Sequence, residues 1–431
     1  MRDLKERRCQ TWAGTFSSVG ARGIRLFSEQ HDETRKDEML MAKQDKPTGE
    51  GKLYGRGMLW KVLIIGALLV TILVVAALRS FGAPSASPLP VRIPASASPA
   101  RETAHLKTVA DIPLPGGASR FDYQSGDPRR GLLFISHLGA STVTVFDLAS
   151  RSIRANIAPI ADVHGVLAIP ELGRVYASAT GENQMKVIDE QSLRVVVTIP
   201  AGVYPDGMTY DPFTQHLFVS DETGDTETVI DVRSERQIAT IPLGGEAGNT
   251  QDDPLSHRIF VDVQTLDQLV VIDPTTNRLI ARYGLPNCDH DHSLLIDAPS
   301  RLAFVVCDGN SVLLTVDLRS LTVTAVQTVG TTPDVLALDS NWHLLYVASE
   351  TGVLSVFEES GRALRKMYEG FIAAEAHTAA VDVQTHRIFL PLQEVHGKPL
   401  LRIAIVCPPS HPTPACHGEG GPISFVYGDR T

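Results

Sequence analysis

The sequence predicts an all-β fold, a seven-bladed β-propeller of four-stranded antiparallel blades preceded by one transmembrane helix. Three observations predict the propeller. The segments GLLFISH, RVYASAT, HLFVSDE, RIFVDVQ, LAFVVCD, LLYVASE and RIFLPLQ place an aromatic at Phe134, Tyr176, Phe218, Phe260, Phe304, Tyr346 and Phe389, spaced by 42, 42, 42, 44, 42 and 43 residues. Each is followed by an alternating segment closing on Asp, such as TVTVFD, QMKVID or QLVVID, and then by another such as VVVTIPAG or QIATIPLG. Period-two alternation suits half-buried strands and not helices, and a repeat of about 40 to 45 residues is one blade. Third, LKTVADIPL (106–114) matches the outermost strand of a repeat, whereas the last repeat stops after its third strand, LLRIAIV (400–406). The first strand should complete the last blade and remove two open sheet edges at once.

Taken in order, residues 1–57 are rich in charge, lack sustained apolar periodicity and are expected to be a disordered cytoplasmic segment. Residues 58–80 are expected to be a transmembrane helix or signal anchor. VLIIGALLVTILVVAAL (62–78) is uncharged and, with Leu59 and Trp60, approaches the roughly 20 residues a helix needs to cross a bilayer, so residues 59–79 are expected to meet the membrane. Lys43, Lys46, Lys52, Arg56 and Lys61 precede the span, against Arg79 and Arg92 after it. That asymmetry places the N-terminus inside and the propeller on the extracytoplasmic side, periplasmic or external. Translation from Met58 would instead make MLWKVLIIGALLV a signal sequence, with cleavage near residues 84–86 and secretion. Both readings export the rest. Residues 81–103 read as a Pro/Ala/Ser linker, 104–406 as the propeller, and 407–431, with CPPSHPTPAC, as a C-terminal tail.

Four cysteines follow the apolar span. Cys288 enters the innermost strand of blade five and Cys307 leaves its second strand, so both belong on one face, where a disulfide or metal thiolates are the alternatives. Cys407 and Cys416 could close a local loop or remain free.

The units VYPDGMTYDPFTQHLFVSDETGDTETVIDVRSERQIATIPLG and TTPDVLALDSNWHLLYVASETG resemble repeats of the YVTN-repeat, YncE-like β-propeller family, a likeness that spans residues 104–406. The resemblance implies the fold and leaves the function open, because this architecture carries unrelated roles. It implies ligand binding in some relatives, single-stranded DNA included, and lactonase or lyase activity in propeller cousins. Nucleic acid is disfavoured by charge: residues 104–431 hold 23 Lys and Arg against 39 Asp and Glu, a balance of −16 that repels phosphates.

Register along the repeat locates a candidate site. Twelve residues before each aromatic stand His164, Asp206, Gly248, His292, Asp334 and His377 in blades two to seven, with Asn249 beside Gly248. Blade one is expected to have a longer hairpin, with Arg120 as its equivalent. Two residues further upstream lie Asp162, Tyr204, Glu246, His290, Thr332 and Glu375, an outer tier; four residues past the anchors lie Glu222, Gln264, Asp308 and Glu350. All should converge on one mouth of the central channel, making NCDHDH (287–292) one sector of a polar funnel. Aspartates in register at other positions, namely Asp211, Asp253, Asp297, Asp339 and Asp382, and Asp147, Asp189, Asp231, Asp273 and Asp317, fall in hairpin turns that Asx hydrogen bonds explain.

Imidazole with carboxylate suits zinc, manganese, iron or copper, so His164, His292, His377, Asp206 and Asp334 are candidate metal ligands. Without metal, a His beside carboxylates could act as a base. The predicted function is a membrane-anchored extracytoplasmic propeller binding a small ligand or metal at this mouth, through Arg120, His164, Asp206, Asn249, His292, Asp334, His377, Glu246, His290 and Glu375. A metal-dependent, lactonase-like hydrolase or lyase in the same funnel and a protein-interaction scaffold are the alternatives.

Overall fold

The computed structural model describes residues 104–411 and Cys416. The expectations for residues 1–57, 58–80, 81–103 and nearly all of the tail lie outside them. Among the described residues no helix is long and apolar enough to cross a membrane.

Seven four-stranded antiparallel sheets follow one another along the chain. Blade 1 runs from Gln124–Asp127 to Ser152–Ile157, blade 2 from Val163–Ile169 to Arg194–Pro200, and blade 3 from Pro205–Asp211 to Arg236–Pro242. Blade 4 spans Ala247–Asp253 to Arg278–Gly284, blade 5 Asp291–Asp297 to Thr322–Thr328, and blade 6 Pro333–Asp339 to Ala363–Phe371. Blade 7 takes Ala380–Asp382, Arg387–Val395 and Lys398–Cys407 from the end of the chain and His105–Pro113 from its beginning. Those last two strands pair from His105 opposite Cys407 to Pro113 opposite Leu400, and Arg402 donates two hydrogen bonds to Asp111 at 2.9 and 2.8 Å. The closure expected from the two incomplete ends is therefore present.

The aromatic anchors are buried in the second strands, with Phe134, Tyr176, Phe218, Phe304 and Tyr346 at 0% exposure. The core lies between blades. Leu132, Phe134 and Val145 of blade 1 pack on Val166, Val175 and Ala177 of blade 2, and Phe121, Ile135 and Phe146 pack on Phe389, Leu401 and Ile403 of blade 7. A blade thus has no core of its own, and the ring is stable as a unit.

Turn chemistry is as read from the register. Asp211, Asp253, Asp339 and Asp382 each accept the backbone N–H two residues on, as do Asp147, Asp231, Asp273 and Asp317, while Asp189 accepts from Ser192. Asp297 differs: its carboxyl lies with that of Glu359 from the next blade. Cys288–Cys307 and Cys407–Cys416 are both disulfides, with Cα separations of 5.5 and 5.7 Å. Such pairs point to an oxidising compartment.

Candidate functional site at the channel mouth

The mouth is shaped by one local device repeated around the ring. In blades 2 to 6 the pairing of innermost and second strands slips between Val163 and Val166, Pro205 and Met208, Ala247 and Thr250, Asp291 and Ser293, and Pro333 and Leu336. A bulge re-aims the side chain within it, and these bulges hold His164, Asp206, Gly248, His292 and Asp334. Two residues earlier the chain is left-handed, with φ of 44° at Asp162, 62° at Tyr204, 62° at His290, 48° at Thr332 and 58° at Glu375. The outer tier is thus a row of turn positions. Its carbonyls at Tyr204, Glu246, His290 and Thr332 accept from the backbone N–H groups of Glu222, Gln264, Asp308 and Glu350 at 2.8 to 3.0 Å, which ties each loop to the second strand of its blade.

Blade 1 corrects the sequence reading. Its hairpin, residues 128–131, is as long as residues 170–173 in blade 2, and the residue twelve before Phe134 is Asp122. The Asp122 N–H donates to the Ser136 carbonyl at 3.0 Å, so the ladder reaches the mouth without an insertion. Arg120 lies two residues outside the ring. Around the axis the seven positions are therefore Asp122, His164, Asp206, Gly248, His292, Asp334 and His377. Acid and imidazole alternate except at Gly248, where an added Cβ would stand 2.0 Å from Asp262 Oδ2 and 2.9 Å from the His292 carbonyl oxygen.

One side of this ring is saturated. Asp334 meets His377 Nδ1 at 2.5 Å and His292 Nε2 at 3.3 Å. The other nitrogen of His377 donates to the Phe121 carbonyl at 2.9 Å. His292 Nδ1 donates to Gln264 Oε1 at 3.0 Å, and Gln264 is oriented by its own Nε2 bond to the Ala247 carbonyl. Both rings thus donate at both nitrogens and are imidazolium. Burial opposes this charge, but Asp334 overcomes it, raising His377 and pushing His292 up to about 10. Burial alone would raise Asp334; hydrogen bonds from His292 and His377 hold it well below the usual carboxylate range. Arg120 completes the cluster, 2.9 Å from Glu350 Oε1, 3.4 Å from His377 Nδ1 and 3.7 Å from Asp334 Oδ2.

The other side is not saturated. Asp122 is 4% exposed, and its nearest ionic partner is His164 Nε2 at 4.0 Å. Asp206 Oδ1 is shut off from solvent with no hydrogen-bond partner. Burial and the charge of Asp206 lift Asp122 to about 7; burial and the charge of Glu222 lift Asp206 to about 8. Between them His164 donates from Nδ1 to the Asp162 carbonyl at 2.8 Å, leaving Nε2 to accept from the Tyr204 hydroxyl at 3.1 Å.

These groups enclose a cavity of about 500 Å³. Among the predicted site residues, Arg120, His164, Asp206, His292 and Asp334 line it, with Asp122, Tyr123, Asp162, Tyr204, Glu222 and Glu350. His377 lies beneath as a support for Asp334. Asn249 faces a smaller cavity of about 170 Å³, which shares Tyr123 with the first. Glu246, His290 and Glu375 are not among the lining residues of either, and His290 pairs with Asp308 at 2.9 Å. Asp122 was legible in the register and Tyr123 followed from it; assuming an insertion in blade 1 hid both.

Among the described residues, two groups place three donor atoms close enough to hold a metal, Asp334/Glu350/His377 and Asp267/Cys288/Asp291. In the first, Arg120 already supplies a cation, and His377 has no lone pair while both its nitrogens donate. In the second, Cys288 is committed to its disulfide. For His292 and His377 the metal-ligand expectation therefore meets the same obstacle, double protonation.

No family profile and no curated protein matches the chain. Among solved structures it is similar to Kuenenia stuttgartiensis hydrazine synthase, with TM-score 0.58 and 12% identity over 67% of this chain and 96% of that one. At that identity the likeness shows the fold, a seven-bladed β-propeller, and nothing about chemistry.

Proposed function

We propose that this chain is an exported, membrane-anchored propeller of the YVTN-repeat type that binds a small polar ligand at its channel mouth. One observation carries the reading: Asp206 Oδ1 is shut off from solvent with no hydrogen-bond partner, beside the buried Asp122, whose nearest ionic partner is 4.0 Å away, and both residues line the cavity. Buried polar groups in folded proteins are almost always met by a partner, and each exception calls for an explanation such as a ligand or water. The cavity volume falls within the range of roughly 300 to 1,000 Å³ usual for small-molecule sites. Membrane anchoring rests on the apolar span and its basic flank; a reporter active only outside the cytoplasm, fused after Arg101, should be active. Ligand binding is checked by thermal-shift screening of the full chain. Hits should vanish in Asp206→Asn and His164→Ala, and hits that survive both would place the site elsewhere.

A second reading has its own support in Asp334, Glu350 and His377, whose donor atoms lie within 4.8 Å of one another. With zinc, manganese, iron or copper there, the mouth would suit a lactonase-like hydrolase or lyase. Arg120 would first have to leave. Metal analysis of protein purified without a His tag should then find one equivalent in wild type and no less in Arg120→Ala; a metal-free wild type defeats this reading.

A further inference from the structure

We propose that the anchoring group of the ligand is a protonated primary or secondary amine, received by Asp122 and Asp206 on the unsaturated side of the mouth ring. This rests on the mouth being the binding site, and it adds the chemical class and the place. Carboxyl oxygens without donors call for N–H or O–H groups, and a positive charge makes the stronger bond. A metal ion fits less well. Neither group of residues able to hold a metal contains Asp122 or Asp206, whereas an ammonium needs only two or three acceptors at hydrogen-bond distance. The surroundings agree. Asp162 and Glu222 add negative charge, and the rings of Tyr123 and Tyr204 line the same cavity, as a cation tolerates and an anion does not. The cations Arg120 and His292 lie beside Asp334 and pair with it.

Gly248 explains why Asp206 has an imidazole on one side only. The ring neighbour of Asp206 has no side chain, and none fits there, so Asp206 is denied the second imidazole that Asp334 has.

The test is calorimetry on the purified full chain with ethanolamine, putrescine, lysine, tetramethylammonium, zinc chloride, manganese chloride and citrate. At least one primary amine should bind, tetramethylammonium should bind at least about tenfold more weakly for want of an N–H, and Asp122→Asn and Asp206→Asn should each weaken the amine at least about tenfold. The turn variant Asp147→Asn should match wild type, and melting curves should show all variants folded. Amine binding unchanged in both ring variants overturns the assignment. Citrate or metal binding that is lost in His292→Ala, with no amine binding, keeps the mouth as a site and overturns the amine. No binding of any probe overturns both.

Discussion

On one side of the mouth, Asp334 takes hydrogen bonds from two imidazolium rings and lies beside a guanidinium; on the other, Asp122 has only His164 at 4.0 Å and Asp206 Oδ1 has no hydrogen-bond partner. Both sides are built from the same position of the same repeat, so the difference does not come from backbone geometry. It comes from counting. Seven positions cannot alternate acid and base without a break, and the break at Gly248 falls next to Asp206. A buried charge that is fully paired mainly specifies structure, while an unmatched one is a standing cost that a ligand can relieve.

The largest test of this contrast is truncation. Asp334→Ala strands two buried imidazolium groups and should cost about 3–5 kcal/mol in urea unfolding, whereas Asp206→Ala should cost less than about 1 kcal/mol or even stabilise, because it removes an unmet buried carboxyl. Equal losses would erase the distinction. Next, replacing Cys288 and Cys307 by Ser opens a loop with a sequence separation of 19 and should cost about 3 kcal/mol. Because this bridge braces the saturated side, the His292 pKa should fall from about 10, read by NMR of the imidazole.

Both sides should lose stability as pH rises, in different windows. Asp206 is raised in the folded state to about 8, so the folded protein holds a proton that the unfolded chain releases above its ordinary pKa. Its contribution is present at low pH and lost as pH climbs to about 8. Asp206→Asn should gain on wild type by roughly 1 kcal/mol per pH unit through that window. His292 is raised to about 10; its contribution is full below its ordinary pKa and lost as pH rises through 10, so the deficit of His292→Ala should shrink in alkali. Smallest of all, Tyr204→Phe removes one neutral donor to His164 and should cost under about 1 kcal/mol. A larger loss would mean that the open side is also structurally tied.

Much of this was visible in the residues alone. Seven aromatics near one spacing, strands of period two and two incomplete ends determine a closed propeller, since only pairing between the ends satisfies both free edges. The same spacing determines that His164, Asp206, His292, Asp334 and His377 reach one mouth, and brings Cys288 and Cys307 to it, where the structure decides for a disulfide over metal thiolates. Tertiary structure decided the rest. Whether a histidine is a cation or a base depends on what faces each ring nitrogen, and those partners, Phe121, Gln264, Asp334 and Tyr204, come from other blades. Of the outer tier, Asp162 and Tyr204 line the cavity while Glu246, His290 and Glu375 do not, a division that register cannot express. That no side chain fits beside Asp206 follows from a Cβ at position 248 colliding with Asp262, a contact between strands that no spacing along the chain encodes.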